Sequence, residues 1–288
     1  MSKSQCEDSN WFYVDNRRAM VSLGPLSQHR TCPYNCAFCY VQDGFISYAQ
    51  RENREIVKFL IRHRSEYDIV YVSGDTDSFA EPRRSQGLSL LQGIAESINT
   101  DLLFTTRTTF TDSDFDILQN IVKTLASKEH ELYACISITR FSDSVSYLEP
   151  RPIPQPRDRI ETLKRLHDIG AITVLALRPF IPVVDITDYL TILQLSDGYV
   201  DIALGEAFYF QPDGKIQERV FPTGISNEIQ ASLKKKKMDF NKSDVEWSVW
   251  DDAHTEHILQ TYCNNHNIIF SMRSASAIKE FKQRKFGL

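Results

Sequence analysis

Three of the six cysteines, Cys32, Cys36 and Cys39, lie within eight consecutive positions in a C-x3-C-x2-C pattern. Thiolates at this spacing can hold three corners of a cubane iron–sulfur cluster, which four cysteines ordinarily hold. The fourth iron is then open to an amino acid-like chelate with one amine and one carboxylate. An electron passed from such a cluster into a bound sulfonium would break a carbon–sulfur bond. The pattern therefore predicts a redox metal centre that generates a carbon radical.

A structural zinc site is the alternative interpretation of the same loop. Zinc usually takes four ligands, with a second Cys pair downstream of the first. His29 lies close in sequence as a fourth ligand, but no second pair follows. On this alternative the chain is a zinc-stabilised binding module without catalysis, and its fold depends on the metal. The scattered Cys6, Cys135 and Cys263 indicate no disulfide framework.

Composition limits the classes of protein that can be considered. The chain has 288 residues, of which 42% are hydrophobic and 25% charged, enough for one large domain with its own core. A net charge of -5 means that a nucleic-acid partner would need a local basic patch. No apolar run approaches the ~18 residues of a membrane span, and Met1 to Asn10 lacks the apolar region of a secretory signal. We therefore expect a cytoplasmic protein without a membrane partner.

Short apolar runs alternate with amphipathic stretches through most of the chain. The predicted strands are 18–23, 68–73, 101–106, 132–138, 171–177 and 199–204. The predicted helices are 53–63, 85–99, 112–127, 158–169 and 186–195. About six β-α units in a row imply parallel strands with right-handed crossovers, hence an α/β barrel or a doubly wound sheet. We expect an N-terminal segment 1–17, a core 18–205 and a C-terminal extension 206–288 packed on the core.

The extension shows a different pattern. Residues 208–221 predict a hairpin around Pro212-Asp-Gly214, residues 251–266 a helix and 267–271 a closing strand. The run Lys234–Lys237 either contacts phosphate or forms a solvated, mobile loop, which is the more usual role of such a run.

Two tryptophans follow this lysine run, Trp247 and Trp250. They either cover a substrate or stack on a base, or they fix the extension to the core by burying large rings. The sequence leaves both interpretations open.

The cysteine loop, with Phe38 before the last cysteine and Tyr40 after it, resembles the signature of the radical SAM superfamily. Further segments resemble the spore photoproduct lyase-like branch of that superfamily. These segments are Gly74-Asp-Thr-Asp77 with Glu81-Pro82, Thr105-Thr-Arg107, Ile136-Ser-Ile138, Leu148-Glu-Pro150, Arg159 to Gly170, and Leu177 to Pro182. The likeness covers about residues 18–204.

The resemblance implies a partial (β/α)6 TIM-type barrel that carries a [4Fe-4S] cluster and S-adenosylmethionine (SAM). The implied cluster ligands are Cys32, Cys36 and Cys39. The implied SAM-binding residues are Phe38 and Tyr40 along the adenine, Ser73, Asp75 and Thr76 at the methionyl amine, Arg107 at the methionyl carboxylate and Ser137 at the ribose. An electron donor such as flavodoxin or ferredoxin is implied as well.

General chemistry agrees with these placements. Ligands of parallel β/α sheets gather at the carboxyl ends of the strands, and a forked guanidinium suits a carboxylate. The simpler alternatives are that Arg107 is a surface residue and that Asp75 or Asp77 caps a helix.

The chain departs from the lyase in one respect that bears on its substrate. The lyase uses a cysteine near its second-strand segment to return a hydrogen atom to the repaired base, whereas residues 71–81 here contain none. Tyr71 is one residue that stands where that cysteine would be sought. Cys135 is another candidate, because it lies two residues before Ser137 and therefore on the same strand face, although a buried cysteine is more often an apolar filler.

We therefore predict a radical SAM enzyme, of lyase or oxidoreductase type, that abstracts a hydrogen atom from an organic substrate. The branch suggests a nucleotide, nucleoside or nucleic acid, and a small metabolite or peptide is the competing class. A third hypothesis is a degenerate barrel that keeps the cluster and serves as a non-catalytic interaction protein.

Overall fold

The computed structural model describes residues 12–15, 17–23, 32–43, 52–211, 214–237 and 246–287. Cys6 and His29 lie outside the described residues, as do Pro212 and Asp213 of the predicted hairpin. The strands are β1 (Phe12–Asp15), β2 (Arg18–Val21), β3 (Ile69–Val72), β4 (Asp101–Thr106), β5 (Leu132–Ser137), β6 (Ile172–Ala176), β7 (Ile202–Leu204), β8 (Phe208–Phe210), β9 (Lys234–Lys237), β10 (Glu246–Trp250) and β11 (Ile269–Ser271).

Helices follow most of the strands. They are α1 (Asn53–Arg62), α2 (Arg84–Ser97), α3 (Asp112–Ala126), α4 (Pro156–Asp168), α5 (Ile186–Leu195), α6 (Lys215–Val220), α7 (Asn227–Ser232), α8 (Ala253–Asn265) and α9 (Ser274–Phe286). Short 3-10 turns cover Tyr40–Asp43, Arg64–Glu66 and Asp143–Leu148. None of the helices in these described ranges is long and apolar enough to cross a membrane.

The main sheet of the described chain has eight strands in the order β1-β2-β3-β4-β5-β6-β7-β11. Seven of them run parallel in an open sheet that does not close on itself, and β1 pairs antiparallel with β2. The register sets Val72 of β3 beside Phe104 of β4 and Phe104 beside Ala134 of β5. An open parallel sheet with crossover helices is a partial TIM-type fold, so the predicted fold class is confirmed.

Burial explains why these strands form. All residues of β3, β5, β6 and β7 are buried, as expected for parallel strands covered on both faces. Local signals place the helices between them. Thr111 forms a capping box with Asp114 at the start of α3, and Gly170 takes a left-handed φ of 88° after α4.

The described residues divide into two compact units. The first unit contains the residues up to Tyr34, those between 46 and 136, and those between 157 and 174. The second unit contains residues 35–43, 137–156 and those from Leu175 onward. Cys32 thus belongs to the first unit, and Cys36 and Cys39 belong to the second.

The C-terminal extension differs from the sequence prediction in three respects. The predicted hairpin over 208–221 is wrong, because β8 pairs with β10 and residues 215–220 form helix α6. The lysine run is not a mobile loop but strand β9, which pairs with β10 and keeps all four lysines exposed. The third difference is helix α9, which the sequence pattern did not indicate. The predicted closing strand over 267–271 is present as β11, which joins the main sheet parallel to β7.

Candidate functional site

The segment that follows β3 is a tight turn built on Ser73. This residue is buried and has a φ of 70°, which is uncommon for a residue other than glycine. Its hydroxyl donates a hydrogen bond to the carbonyl of Thr76 and accepts one from the N–H of Ser78. The turn therefore holds Asp75 and Thr76 at the carboxyl end of the strand, with Asp75 half-buried and Thr76 buried.

Asp77 links this turn to the end of the next strand. Its buried carboxylate accepts hydrogen bonds from the Thr106 hydroxyl at 2.9 Å, from the Arg107 N–H at 2.7 Å and from the Phe79 N–H at 3.0 Å. Burial raises the pKa of Asp77, and these hydrogen bonds oppose the rise. The carboxylate therefore fixes the carboxyl end of β4, which ends at Thr106 and is followed by Arg107.

Cys32 lies against the same turn in the first unit. The main-chain N–H of Asp77 donates to the Cys32 Sγ at 3.4 Å. Buried Arg83 donates to the Leu23 carbonyl and interacts electrostatically with Cys32. Cys32 is therefore held beside the Asp77 turn and near a buried cation.

Tyr34 lies two residues beyond this cysteine and is also buried. Burial raises the pKa of its phenol, and the charge of Asp77 adds to the rise, while a hydrogen bond with Thr108 and the charge of Arg159 lower it. Arg159 on α4 is fully buried. The first unit therefore surrounds Cys32 and Tyr34 with buried polar groups.

The second part of the cysteine loop lies in the second unit, where side chains hold its backbone. The Arg219 guanidinium donates to the Ala37 carbonyl at 2.8 Å and to the Cys39 carbonyl at 3.1 Å. The Gln42 amide donates to the Cys36 carbonyl at 2.9 Å. The loop is further closed by a main-chain bond from the Cys39 N–H to the Cys36 carbonyl at 3.1 Å.

The remaining predicted residues occupy the following places. In the second unit Phe38 is buried, Tyr40 is half-buried with its ring 6.3 Å from that of Tyr209, and Ser137 is buried at the end of β5. In the first unit Arg107 is half-buried after β4, while Tyr71 on β3 and Cys135 on β5 are buried within their strands. The Arg18 guanidinium stacks on the Tyr71 ring, with its carbon 5.5 Å from the ring centre.

The number and chemistry of the three loop cysteines indicate which metal group they could hold. Of the three loop cysteines, Cys36 is buried and Cys32 and Cys39 are half-buried. Three cysteine ligands leave one iron of a cubane cluster open. Within the described ranges, no group of three or more His, Cys, Asp or Glu side chains stands in an arrangement that could hold a metal ion. The number and type of ligands thus fit a cluster with one open iron, while the thiols are not gathered in a metal-binding geometry.

Sequence reasoning missed several residues that contact the loop. Asp77 was noted in the Gly74–Asp77 segment and as a possible helix cap, but the hydrogen bonds by which it joins the β3 and β4 ends beside Cys32 were not predicted. Arg219 carried no signal at all, because it is distant in sequence from the cysteines and belongs to no recognisable motif. Only the fold brings it to the loop.

Comparison with known proteins identifies a class of fold. No family model matches the sequence, and no curated protein matches it. Solved structures with the same open α/β arrangement do match. They show what this chain resembles in fold, which is the partial TIM-type class described above.

The matching structures include several of spore photoproduct lyase. One variant of that enzyme aligns with a TM-score of 0.63 and 13% identity over 84% of this chain and 74% of its own. A variant with bound AdoMet and dinucleoside spore photoproduct gives 0.60 and 12% over 93% and 74%. Spore photoproduct lyase complexed with dinucleoside spore photoproduct gives 0.57 and 14% over 88% and 72%. At such identities the likeness establishes a shared fold.

Proposed function

We propose that this protein is a radical SAM enzyme that abstracts a hydrogen atom from an organic substrate. The observation that carries the proposal is the loop of three cysteines, C-x3-C-x2-C, in a chain with the fold of spore photoproduct lyase. Cys32, Cys36 and Cys39 would hold a [4Fe-4S] cluster. When bound and reduced, such a cluster supplies the electron that splits SAM into methionine and a 5′-deoxyadenosyl radical.

The metal itself would gather the three thiols. Metal-binding free energy commonly orders ligands that are not preformed in the metal-free protein. Cys32 is held by the Asp77 N–H, and the carbonyls of Cys36 and Cys39 are held by Gln42 and Arg219.

The strand ends supply the polar groups that SAM needs. Arg107 would pair with the methionyl carboxylate, and its position is set by the bond from its N–H to Asp77. The Ser73 turn would present Asp75 and Thr76 to the methionyl amine. In the second unit, Ser137 would bind the ribose, and Phe38 and Tyr40 would lie along the adenine.

Two buried residues are candidate hydrogen-atom donors that close the reaction. Cys135 is fully buried on β5, and Tyr71 is buried on β3. Whichever acts, Cys135→Ala or Tyr71→Phe should abolish return of hydrogen to the substrate while SAM cleavage continues. Turnover in deuterated water should place deuterium in the product, and the variant that loses this label while it still forms 5′-deoxyadenosine identifies the donor.

For the substrate we propose a nucleotide, nucleoside or nucleic acid, because the structural neighbours include lyase complexes with a dinucleoside photoproduct. The absence of a cysteine between residues 71 and 81 argues for a reaction other than the lyase's own repair. A small metabolite or peptide is the outcome to expect if no nucleic acid binds. A flavodoxin or ferredoxin would deliver the electron.

The decisive experiment is anaerobic purification and reconstitution, with iron and sulfide quantitation, EPR spectra and a SAM-cleavage assay under a strong reductant. Cys36→Ala should lose the cluster and the 5′-deoxyadenosine product. Cys263→Ala, a buried cysteine of α8, is the matched control and should keep both. A colourless, zinc-loaded wild-type protein would overturn the proposal in favour of a zinc-stabilised binding module, and a bound cluster without SAM cleavage would indicate a non-catalytic interaction protein.

A further inference from the structure

Helix α6 in the C-terminal extension is bonded to the cysteine loop through the side chain of Arg219. Arg219 is half-buried and uses two different nitrogens, Nε and Nη2, to donate to the carbonyls of Ala37 and Cys39. These carbonyls flank the Phe38 position between the second and third cysteines. A planar guanidinium that binds two carbonyls at once fixes their relative orientation, which a lysine ammonium cannot do.

The contact is one side of a closed triangle of hydrogen bonds within the second unit. The Tyr147 hydroxyl, in the 3-10 turn Asp143–Leu148, donates to the Val220 carbonyl of α6 at 2.9 Å. The next residue of that turn, Leu148, accepts from the Ala37 N–H at 2.9 Å. The cysteine loop, the 3-10 turn and α6 are therefore each bonded to the other two.

A buried ion pair lies next to the 3-10 turn of this triangle. Arg140 and Glu149 flank the 3-10 turn and form an ion pair at 3.8 Å in which both side chains are almost completely buried. The turn that carries Tyr147 and Leu148 is thus bordered in sequence by two buried, paired charges. The cysteine loop is bonded to this turn through Ala37 and to α6 through Arg219.

We propose that Arg219 is a positioning residue for the cluster-binding loop. By fixing the Ala37 and Cys39 carbonyls it sets the directions in which the Cys36 and Cys39 side chains leave the backbone, and it places a permanent cation beside the loop. Through Arg219 the C-terminal extension would support the loop that holds the metal. The inference rests on the proposed function, and it adds a residue that no cysteine motif contains.

The first test uses the protein without its cluster. Hydrogen–deuterium exchange of residues 35–43 should accelerate about tenfold or more in Arg219→Ala, because the loop loses two charge-assisted bonds. Lys215→Ala is the matched control, since Lys215 is exposed on the same helix, and its exchange should equal that of the wild type. Exchange of the β3–β5 region should remain unchanged in both variants, which shows that the fold is intact.

The second test uses the reconstituted protein. Arg219→Ala should lose iron to a chelator about tenfold faster or more, the usual range for a residue that supports metal ligands, and its cluster should have a more negative reduction potential because a nearby cation is gone. Arg219→Lys keeps the charge without the fork, so it should retain the potential and still lose iron faster. A purely structural role would not separate these two readouts.

The outcomes distinguish this inference from the proposed function. If the wild type takes up a cluster, and Arg219→Ala matches it in loop exchange, iron loss and potential, the inference alone is overturned. If the wild type takes up no cluster under the same conditions, the proposed function is overturned, and the role of Arg219 in metal binding with it.

Discussion

The main-chain N–H of Asp77 lies 3.4 Å from the Sγ of Cys32, and the carboxylate of the same residue holds the N–H of Arg107 at 2.7 Å. One residue thus joins the first cysteine of the loop to the end of β4. Because both contacts come from the turn after β3, a change in that turn should alter the positions of Cys32 and Arg107 together.

Replacing Asp77 by alanine should destabilise the protein by about 3 kcal/mol, the scale of leaving buried donors without an acceptor. The Thr106 hydroxyl and the N–H groups of Phe79 and Arg107 lose their partner. Asp77→Asn keeps one carbonyl oxygen and should lose less. Urea unfolding of the three proteins measures the order, and equal stability of Asp77→Ala and wild type would contradict it.

The pH dependence of stability offers a separate test of Asp77. Burial raises its pKa above the ordinary value of 3.8, so its contribution is fully present below that value and declines as pH rises through the raised pKa. Asp77→Asn does not titrate. The stability of wild type relative to Asp77→Asn should therefore be greatest at low pH and fall as the pH increases through this window. Thermal unfolding across a pH series measures the difference, and a relative stability that grows with pH would show that the hydrogen bonds outweigh burial.

Two glycines of α2 should respond oppositely to alanine. A Cβ at Gly87 would lie 2.2 Å from the carbonyl oxygen of Ser78, so the turn that carries Asp77 must shift, at a cost of about 1–3 kcal/mol or more. At Gly93 the nearest atom is a Val57 methyl at 3.6 Å, and alanine should stabilise the helix by about 0.5–1 kcal/mol. Thermal unfolding compares the two.

The same two glycine variants also test the candidate site beside Cys32. If the proposed function holds, Gly87→Ala should reduce SAM binding and cluster retention, because the displaced Ser78 belongs to the turn beside Cys32. Gly93→Ala should leave both unchanged. Identical behaviour of the two variants would disprove the close approach of α2 to this turn.

Local patterns predicted the elements whose signals lie within the element itself. Asp101–Thr106 and Ile186–Leu195 have the predicted bounds. The first contains a short apolar run, and the second follows a capping aspartate, Asp185. Residues 208–221 did not form the predicted hairpin, since β8 finds its partner in the distant β10. The exposed lysines of β9 carry no apolar alternation, and only pairing with β10 makes them a strand.

The candidate site divides in the same way. Its cysteines and the polar strand ends can be read from sequence because their spacing and local order are informative. Asp77 and Arg219 act through contacts to backbone groups, which any chain possesses and no motif encodes. Their roles therefore emerge only when the fold is known.

Removing one partner of the buried ion pair Arg140–Glu149 should lower the free energy of unfolding strongly, whereas replacing both partners by apolar residues should lower it little. Their side chains are 2% and 0% exposed, so Glu149→Leu alone leaves a buried charge without its counterion, at about 3–5 kcal/mol. The double variant Arg140→Met/Glu149→Leu removes both charges and should recover much of the loss. Urea unfolding in a double-mutant cycle measures the coupling, and additive losses would show that the two charges do not interact.

Thiol reactivity should separate the loop cysteines from Cys263. Burial raises the pKa of Cys263 to about 12, so only roughly one molecule in 10⁴ carries its thiolate at pH 8. In the cluster-free protein, iodoacetamide should modify half-buried Cys32 and Cys39 at least about a hundredfold faster. Mass spectrometry of timed samples measures the rates, a urea-unfolded sample is the control for intrinsic reactivity, and labelling of Cys263 at the loop's rate would refute the assignment.

The four lysines of β9 should decide whether a nucleic acid contacts this part of the extension. All four side chains are exposed, Lys234 pairs with Asp251 at 3.1 Å and Lys235 donates to the Ser248 hydroxyl at 2.9 Å. If phosphates bind there, changing Lys234–Lys237 to glutamine should weaken binding of a single-stranded oligonucleotide and reduce the slope of log K against log salt by about 0.7 for each phosphate that is no longer neutralised. Lys58→Gln/Lys279→Gln, at exposed lysines elsewhere, should change neither. An unchanged slope in the β9 variant would leave these lysines the simpler role of preventing edge-to-edge strand pairing, and a wild type without salt-dependent binding would direct the substrate search to small metabolites and peptides.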